Sequence, residues 1–225
     1  MELLHTEGIV LKAFNLGDYD RVMTVFSKND GLMKLVVKKG SHPKWAQPAL
    51  TMPLTCVEYY YAPAKHEIFR FHEGHVLNNY LPLRQKLEYL EAASHLVQGL
   101  LSTQFLGKPA PLLYQLFAFY LNKIPTASNP QILVNSFRLK LMSHDGQLVL
   151  RRGCSVCKLA LTTSYMHRGE CFCEAHACED AELFLVEEME MLAELAYSRS
   201  LPHLNSLELS QTLEEKISRL FSQLN

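Results

Sequence analysis

Four cysteines and two histidines crowd into the stretch from Cys154 to His176, and few folds accommodate such a cluster by packing alone. The chain there reads Cys154-Ser-Val-Cys157, then thirteen residues, then Cys171-Phe-Cys173-Glu-Ala-His176-Ala-Cys178. Two cysteines separated by two residues form a knuckle that turns both sulfurs toward one ion. Cys173 and His176 repeat that two-residue gap. Three thiolates and one imidazole fill a tetrahedron and leave no open position, so such a site is structural and not catalytic. His167, Cys171 and Cys178 compete for the same role, and spacing alone leaves Cys171 or Cys178 open as a replacement for either member of the second pair. The competing reading is a loop that has lost its metal. Five of the six cysteines fall within residues 154–178 and Cys56 stands apart, which fits a metal site in a reducing compartment better than a disulfide framework.

The chain has 225 residues, of which 48% are hydrophobic, enough for one large or two small buried cores. Residues 1–8 lack a basic segment followed by an apolar one, so no secretory signal is expected. No apolar run reaches the ~18 residues of a membrane span. The expectation is a soluble cytoplasmic protein with no membrane partner.

The first eighty residues predict five short strands: Ile9–Phe14, Arg21–Ser27, Leu32–Lys38, Leu54–Tyr61 and Glu67–Phe71. Val, Ile, Phe, Tyr and Thr dominate them. Turns fall at residues 15–18, 29–31, 40–43 and 62–64. Closing five strands into a barrel removes most of the edge that an open sheet would expose. Beyond residue 80 the apolar period becomes helical. Leu83, Leu87, Leu90, Val97 and Leu101 mark a first helix with Pro82 in its first turn. Leu113, Phe117, Tyr120 and Ile124 mark a second. Asn129-Pro130 opens a third, which Asp145-Gly146 ends. After the cysteines, Asp180 is expected to cap a helix bearing Leu185, Met189, Leu192 and Ala196, and Pro202 separates it from a last one ending at Leu224. The expected class is α+β: an N-terminal five-stranded OB-like β-barrel (residues 1–80), followed by an all-α domain (residues 81–225). That second domain carries a zinc-knuckle-like insert at about residues 150–178.

Enzyme signatures are missing. Gly107-Lys108 runs into Pro109, so it is no phosphate loop. His72-Glu73-Gly74-His75 spaces its histidines one short of a helical zinc pair and reads as exposed polar residues after a strand. Cys56 reads as a buried small hydrophobe. No nucleophile elbow and no deaminase motif occur. The net charge of −1 hides an uneven distribution. Residues 1–80 carry 9 basic and 8 acidic side chains, residues 81–178 carry 10 and 5, and residues 179–225 carry 3 and 10. Between Asp30 and Glu58 no carboxylate occurs, yet Lys34, Lys38, Lys39 and Lys44 do. A local positive field attracts polyanions whatever the total charge. On a small barrel, lysines contact phosphates while aromatics such as Trp45 or Tyr59 stack on bases. The alternative is a solvated lysine loop.

The segments Thr6-Glu-Gly-Ile-Val-Leu-Lys12, Leu16-Gly-Asp-Tyr-Asp-Arg-Val-Met-Thr-Val-Phe-Ser27, Asp30-Gly-Leu-Met-Lys34, Lys38-Lys39-Gly40 and Pro53-Leu54, with a Cys-x-x-Cys followed by Gly169 and a Cys-x-x-His, resemble the bacterial RecO family of recombination mediators. The resemblance covers the chain in element order and is strongest over the first sixty residues. Here Ser41-His42 stands where relatives commonly carry an arginine after the Lys-Gly, and the second knuckle is Cys-x-x-His instead of Cys-x-x-Cys. The resemblance implies an oligonucleotide-binding barrel, a helical domain with structural Zn2+, and binding of single- and double-stranded DNA. It further implies strand annealing and partnership with RecR in loading RecA onto strands covered by single-strand binding protein. It implies no enzyme activity, a role in DNA repair by the RecF pathway, and a nucleoid-associated cytoplasmic location. On that reading the DNA-binding residues are Arg21, Lys34, Lys38, Lys39, Lys44 and Arg70. The metal ligands are Cys154, Cys157, Cys173 and His176. The alternative is a non-enzymatic scaffold that docks protein partners through the helical domain and the barrel.

Overall fold

The computed structural model describes residues 3–45, 47–63 and 68–223. Ala64, Glu67 and Leu224, which the sequence reading gave to a turn, the start of the fifth strand and the end of the last helix, lie outside the described residues. The chain divides into two compact units, Met1–Pro125 and Thr126–Asn225.

The first unit opens with strands β1 (Leu4–Leu16), β2 (Asp20–Ser27), β3 (Gly31–Val37), β4 (Cys56–Pro63) and β5 (Ile68–Asn78). They close in the order β1-β2-β3-β5-β4, with β4 returning to β1 and β3 running parallel to β5. This is the OB-like barrel. Its interior follows from alternation, because every second side chain points inward. Val10, Met23, Val25, Met33, Leu35, Val37, Val57, Tyr59 and Tyr61 form one buried cluster with Leu50. The strand β1 is longer than the alternation suggests because a bulge between Val10 and Lys12 resets its register. Likewise β5 continues through His72-Glu73-Gly74-His75, since its backbone stays paired with β4 whatever its side chains. Gly31 allows the β2–β3 turn a φ of 69°, and a side chain there would strike the Lys108 carbonyl.

Helices α1 (Leu87–Thr103) and α2 (Pro111–Lys123) complete this unit. Pro82 falls in a separate 3-10 turn, Leu81–Arg84, and α1 starts after it. Helix α2 covers the outside of the barrel at one end of β1 and β2. The Phe26 ring meets Tyr114 at 5.9 Å and Phe117 at 6.2 Å, and the Tyr114 hydroxyl donates to Glu7 Oε1 at 2.9 Å.

The second unit holds α3 (Pro130–His144), the short strands β6 (Ser164–His167), β7 (Glu170–Phe172) and β8 (Glu182–Phe184), then α4 (Val186–Tyr197), α5 (Leu201–Ser206) and α6 (Gln211–Ser222). Asn129 caps α3 by accepting from the Gln131 N–H, which also leaves Pro130 where its missing N–H costs nothing. Asp180 caps no helix: β8 intervenes, and Glu188 reaches back to the Leu185 N–H at the start of α4. Pro202 sits in the first turn of α5, behind a Ser200 cap. Lys140 on α3 donates to the Ala196 and Ser198 carbonyls at the end of α4, and Ser136 donates to Leu195 O. These donors satisfy carbonyls that the helix end leaves open. No helix among the described residues is long and apolar enough to cross a membrane.

Candidate functional sites: a metal cluster and a basic barrel face

The metal cluster is built by two tight turns. In the first, Lys158 N–H bonds to Cys154 O and Cys154 N–H to Leu159 O, with Lys158 in the left-handed region at φ 64°. In the second, His176 N–H bonds to Cys173 O across the 3-10 turn Glu174–His176. A bond from Ser155 N–H to Cys171 O joins the two. The β6–β7 hairpin turns at Gly169, where φ is 77° and a side chain would collide with the Gln147 carbonyl. That close approach fastens the module to the segment following α3.

The structure brings together Cys154, Cys157, Cys173 and His176, with every ligand atom within 4.8 Å of the others. Cys157 Sγ lies 3.9 Å from Cys173 Sγ, Cys154 Sγ lies 3.8 Å from His176 Nδ1, and Cys173 Sγ lies 3.2 Å from His176 Nδ1. A tetrahedral ion with Zn–S near 2.3 Å and Zn–N near 2.0 Å sets edges of about 3.7 Å between thiolates and about 3.5 Å from thiolate to imidazole. The observed separations match a metal tetrahedron and exceed the ~2.05 Å of a disulfide. The thiol of Cys154 is 1% exposed. Burial raises its pKa, but the backbone N–H groups of Cys173, Cys157 and Val156 outweigh that and bring it down to about 6. A thiolate held by main-chain donors is the form a metal binds. The remaining candidates lie apart. Cys171 is buried and donates to Val149 O at 3.6 Å, Cys178 is exposed, and His167 pairs with Glu170 across the hairpin.

The basic face follows from the register on the half of the barrel that α2 leaves open. One row across the outer surface is Lys12, Thr24, Lys34 and Ile68; the next is Phe14, Val22, Val36 and Arg70; a third is Leu16 beside Asp20. Val22 and Thr24 are buried, whereas Lys12, Lys34 and Arg70 are exposed. Just past β3, Lys38 pairs with Asp20, the one carboxylate in these rows. That ion pair and the Lys39 N–H lower the Asp20 pKa. Lys39, at φ 56°, and Lys44 are exposed in the following loop.

Of the six cations expected to bind DNA, the register therefore gathers Lys34, Lys38 and Arg70 on one face, with Lys39 and Lys44 in the adjoining loop. Arg21 differs. It pairs with Val37 in the inward row at the barrel's end, and its Nε is buried with no partner. Tyr59 is fully buried, its hydroxyl donating to Leu50 O, so it is core and cannot stack on a base. Trp45 packs against the same core. Sequence reasoning missed Lys12 and Phe14. The bulge hides their common face, and only the strand register reveals it.

Two family models cover the chain: recombination protein O N terminal over residues 1–80, and recombination protein O C terminal over residues 84–224. A protein from Chlamydia pneumoniae named DNA repair protein RecO is 29% identical over 96% of this chain and 86% of its own length. One of the same name from Chlamydia muridarum is 34% identical over 67% of this chain. A third, from Acetivibrio thermocellus, is 31% identical over 70% of this chain. The aligned regions span 65% and 62% of those last two proteins. With both terminal models matched in order along the whole described structure, the chain belongs to the RecO family.

Proposed function

We propose that this chain is a DNA-binding recombination mediator in DNA repair. It holds single- and double-stranded DNA on the open face of the barrel, anneals complementary strands, and works with RecR to load RecA onto strands covered by single-strand binding protein. The observation that carries this reading is the gathering of Lys12, Lys34 and Arg70 on one outer face, with Lys38 beside them and a single carboxylate among the rows. Cations held at that density neutralise two phosphate backbones at once, which lowers the repulsion that opposes pairing. No bond of the polynucleotide is broken, and no catalytic group is required. Cys154, Cys157, Cys173 and His176 would hold Zn2+, which would brace the loop structurally and supply no reactive water. DNA binding in turn places the protein in the cytoplasm at the nucleoid. The names carried by the relatives support the repair role.

The test is a double substitution, Lys34→Ala with Arg70→Ala, measured by anisotropy of labelled DNA over a range of salt. Each lost phosphate contact reduces the slope of log affinity against log salt by about one unit, equally for all sequences. An unchanged slope refutes the face. The scaffold reading has an observation in its favour too. Leu87 is 71% and Leu112 72% exposed on the helices of the first unit, and such side chains suit a protein partner. On that reading the wild-type chain passes unretained through a DNA column at low salt.

A further inference from the structure

We infer that Phe14 is a base-stacking platform that makes the open barrel face discriminate single strands from duplex. The inference rests on the DNA-binding reading and adds to it the form of DNA that this face selects. Phe14 and Leu16 are 52% and 51% exposed, too open to be core, and they project from the strand segment that carries Lys12. Alternate residues of a strand stand ~6.8 Å apart on one face. Bases in a duplex stack at ~3.4 Å per step. The series Lys12, Phe14, Leu16 therefore has about twice the duplex repeat, the spacing of an extended strand with its bases splayed. The row through Phe14 ends at Arg70, and the neighbouring row carries Lys12 and Lys34. Phe14 stands at the β1 end of its row, beside the row of Lys12 and Lys34 on one side and beside Leu16 and Asp20, to which Lys38 is paired, on the other; an exposed ring next to cations is the combination that tracks a single-stranded backbone while stacking its bases.

Of the other aromatics near this face, Tyr59 belongs to the core, Trp45 is partly buried against it, and the Tyr19 ring, half exposed, leans on His42 at 4.8 Å. A duplex presents phosphates to the lysines but keeps its base faces stacked inside. The cations therefore serve both forms of DNA, and the phenyl ring serves one.

The experiment compares the full chain with Phe14→Ala on a labelled oligo-dT and on a blunt duplex at matched salt. Loss of one stacked base costs roughly tenfold to a hundredfold in single-strand affinity. Duplex affinity should move by less than about twofold, and the salt slope should stay the same because no phosphate contact is lost. A second variant, Phe14→Trp, retains single-strand binding, and its fluorescence is quenched by oligo-dT but not by duplex. Equal losses on both DNAs, no loss on either, or unquenched Phe14→Trp fluorescence would overturn the assignment while leaving the basic face intact. Failure of the wild-type chain to bind any DNA at low salt would instead remove the reading beneath it.

Discussion

The two compact units are held together by different chemistry. The barrel unit closes on an apolar cluster drawn from β1 to β4, in which Val10, Met23, Val25, Leu35, Val57 and Tyr59 are fully buried, with Phe69 and Phe71 of β5 packed partly buried against it. Its cohesion comes from area removed from water and needs no ion. The segment between α3 and α4 in the second unit has no such reserve. Its strands are three or four residues long, and Val156 and Leu159 are 57% and 68% exposed. Its buried side chains include Cys154, Met166 and Cys171. A module with that little apolar area depends on a staple. On the proposed reading the same chain separates a surface that binds DNA from a cluster that would brace a loop around a metal, and the two should fail independently.

The largest expected effect breaks the brace. Metal binding to a knuckle pair is worth about 10 kcal/mol or more, which exceeds what the small strands can replace. Cys154→Ser, or a strong chelator, should abolish zinc content and deprotect the amides of β6 and β7. The amides of Val25, Leu35 and Tyr59 should keep their protection. Hydrogen exchange on both units reports the contrast directly, and simultaneous loss in the barrel would erase it. The converse substitution is Leu35→Ala, which deletes a fully buried side chain. It should cost the barrel ~2–5 kcal/mol, with an unfolding midpoint that added zinc does not restore. Denaturant titration with and without zinc checks it.

How far these features could be read from sequence depends on what each one rests upon. Strand alternation is a local property, so all five barrel strands and the turns near residues 15–18, 29–31 and 40–43 were legible, whereas the turn expected at 62–64 falls on Ala62 and Pro63 of β4 and on Ala64 outside the described residues. Cys154, Cys157, Cys173 and His176 share a two-residue gap, and the structure gathers those four because two tight turns are what that gap builds. Cys171 falls outside because hairpin alternation sends it inward against Val149. The outer face was not legible for a comparable reason. The extra residue at the bulge in β1 moves Lys12 and Phe14 onto the face of Lys34, and a bulge leaves no mark in composition. Tyr59 misled because tyrosine suits either a core or a surface; its buried hydroxyl is satisfied by the Leu50 carbonyl in the 3-10 turn Pro48–Thr51. The change of period near residue 80 locates where strands give way to helices. It says nothing about which helices pack on the barrel.

A smaller effect tests the polar side of the second unit. Lys216 on α6 donates to both carboxylate oxygens of Glu188 on α4 and to Leu183 O. The paired side chains are 14% and 18% exposed, so water screens them little. Lys216→Met strands the Glu188 carboxylate and should cost about 2 kcal/mol. The loss should be confined to the second unit and diminished in the double variant Lys216→Met, Glu188→Leu. A cycle of the three variants by thermal melting measures the coupling.

The smallest effect belongs to the barrel and concerns Cys56, a cysteine whose role is the reverse of the metal ligands'. Its thiol lies near Tyr114 Oη at 3.5 Å and Glu7 Oε1 at 3.8 Å. Burial is the main cause that pushes its pKa up to about 11, with the Glu7 charge adding to it and the Tyr114 hydroxyl opposing. The folded barrel therefore holds the protonated thiol, while the unfolded chain releases that proton near pH 9. The stabilisation is complete below pH 9 and is lost as pH rises from 9 toward 11. At pH 10 the loss should reach about 1 kcal/mol. Tyr59, Tyr61, Tyr80 and Tyr114 are also displaced upward by burial, and in the unfolded chain their phenols are partly ionised by pH 10, so the Cys56 contribution is the difference between wild type and Cys56→Ala. Denaturant midpoints from pH 9 to 10 should fall for the wild-type barrel and fall less steeply in Cys56→Ala. At pH 8, iodoacetamide should modify the exposed Cys178 in the native protein and spare Cys56. Alkylation of Cys56 at a comparable rate would show that the outer flank of the barrel under α2 opens readily, and the contrast between a self-sufficient unit and a braced one would then rest on the metal alone.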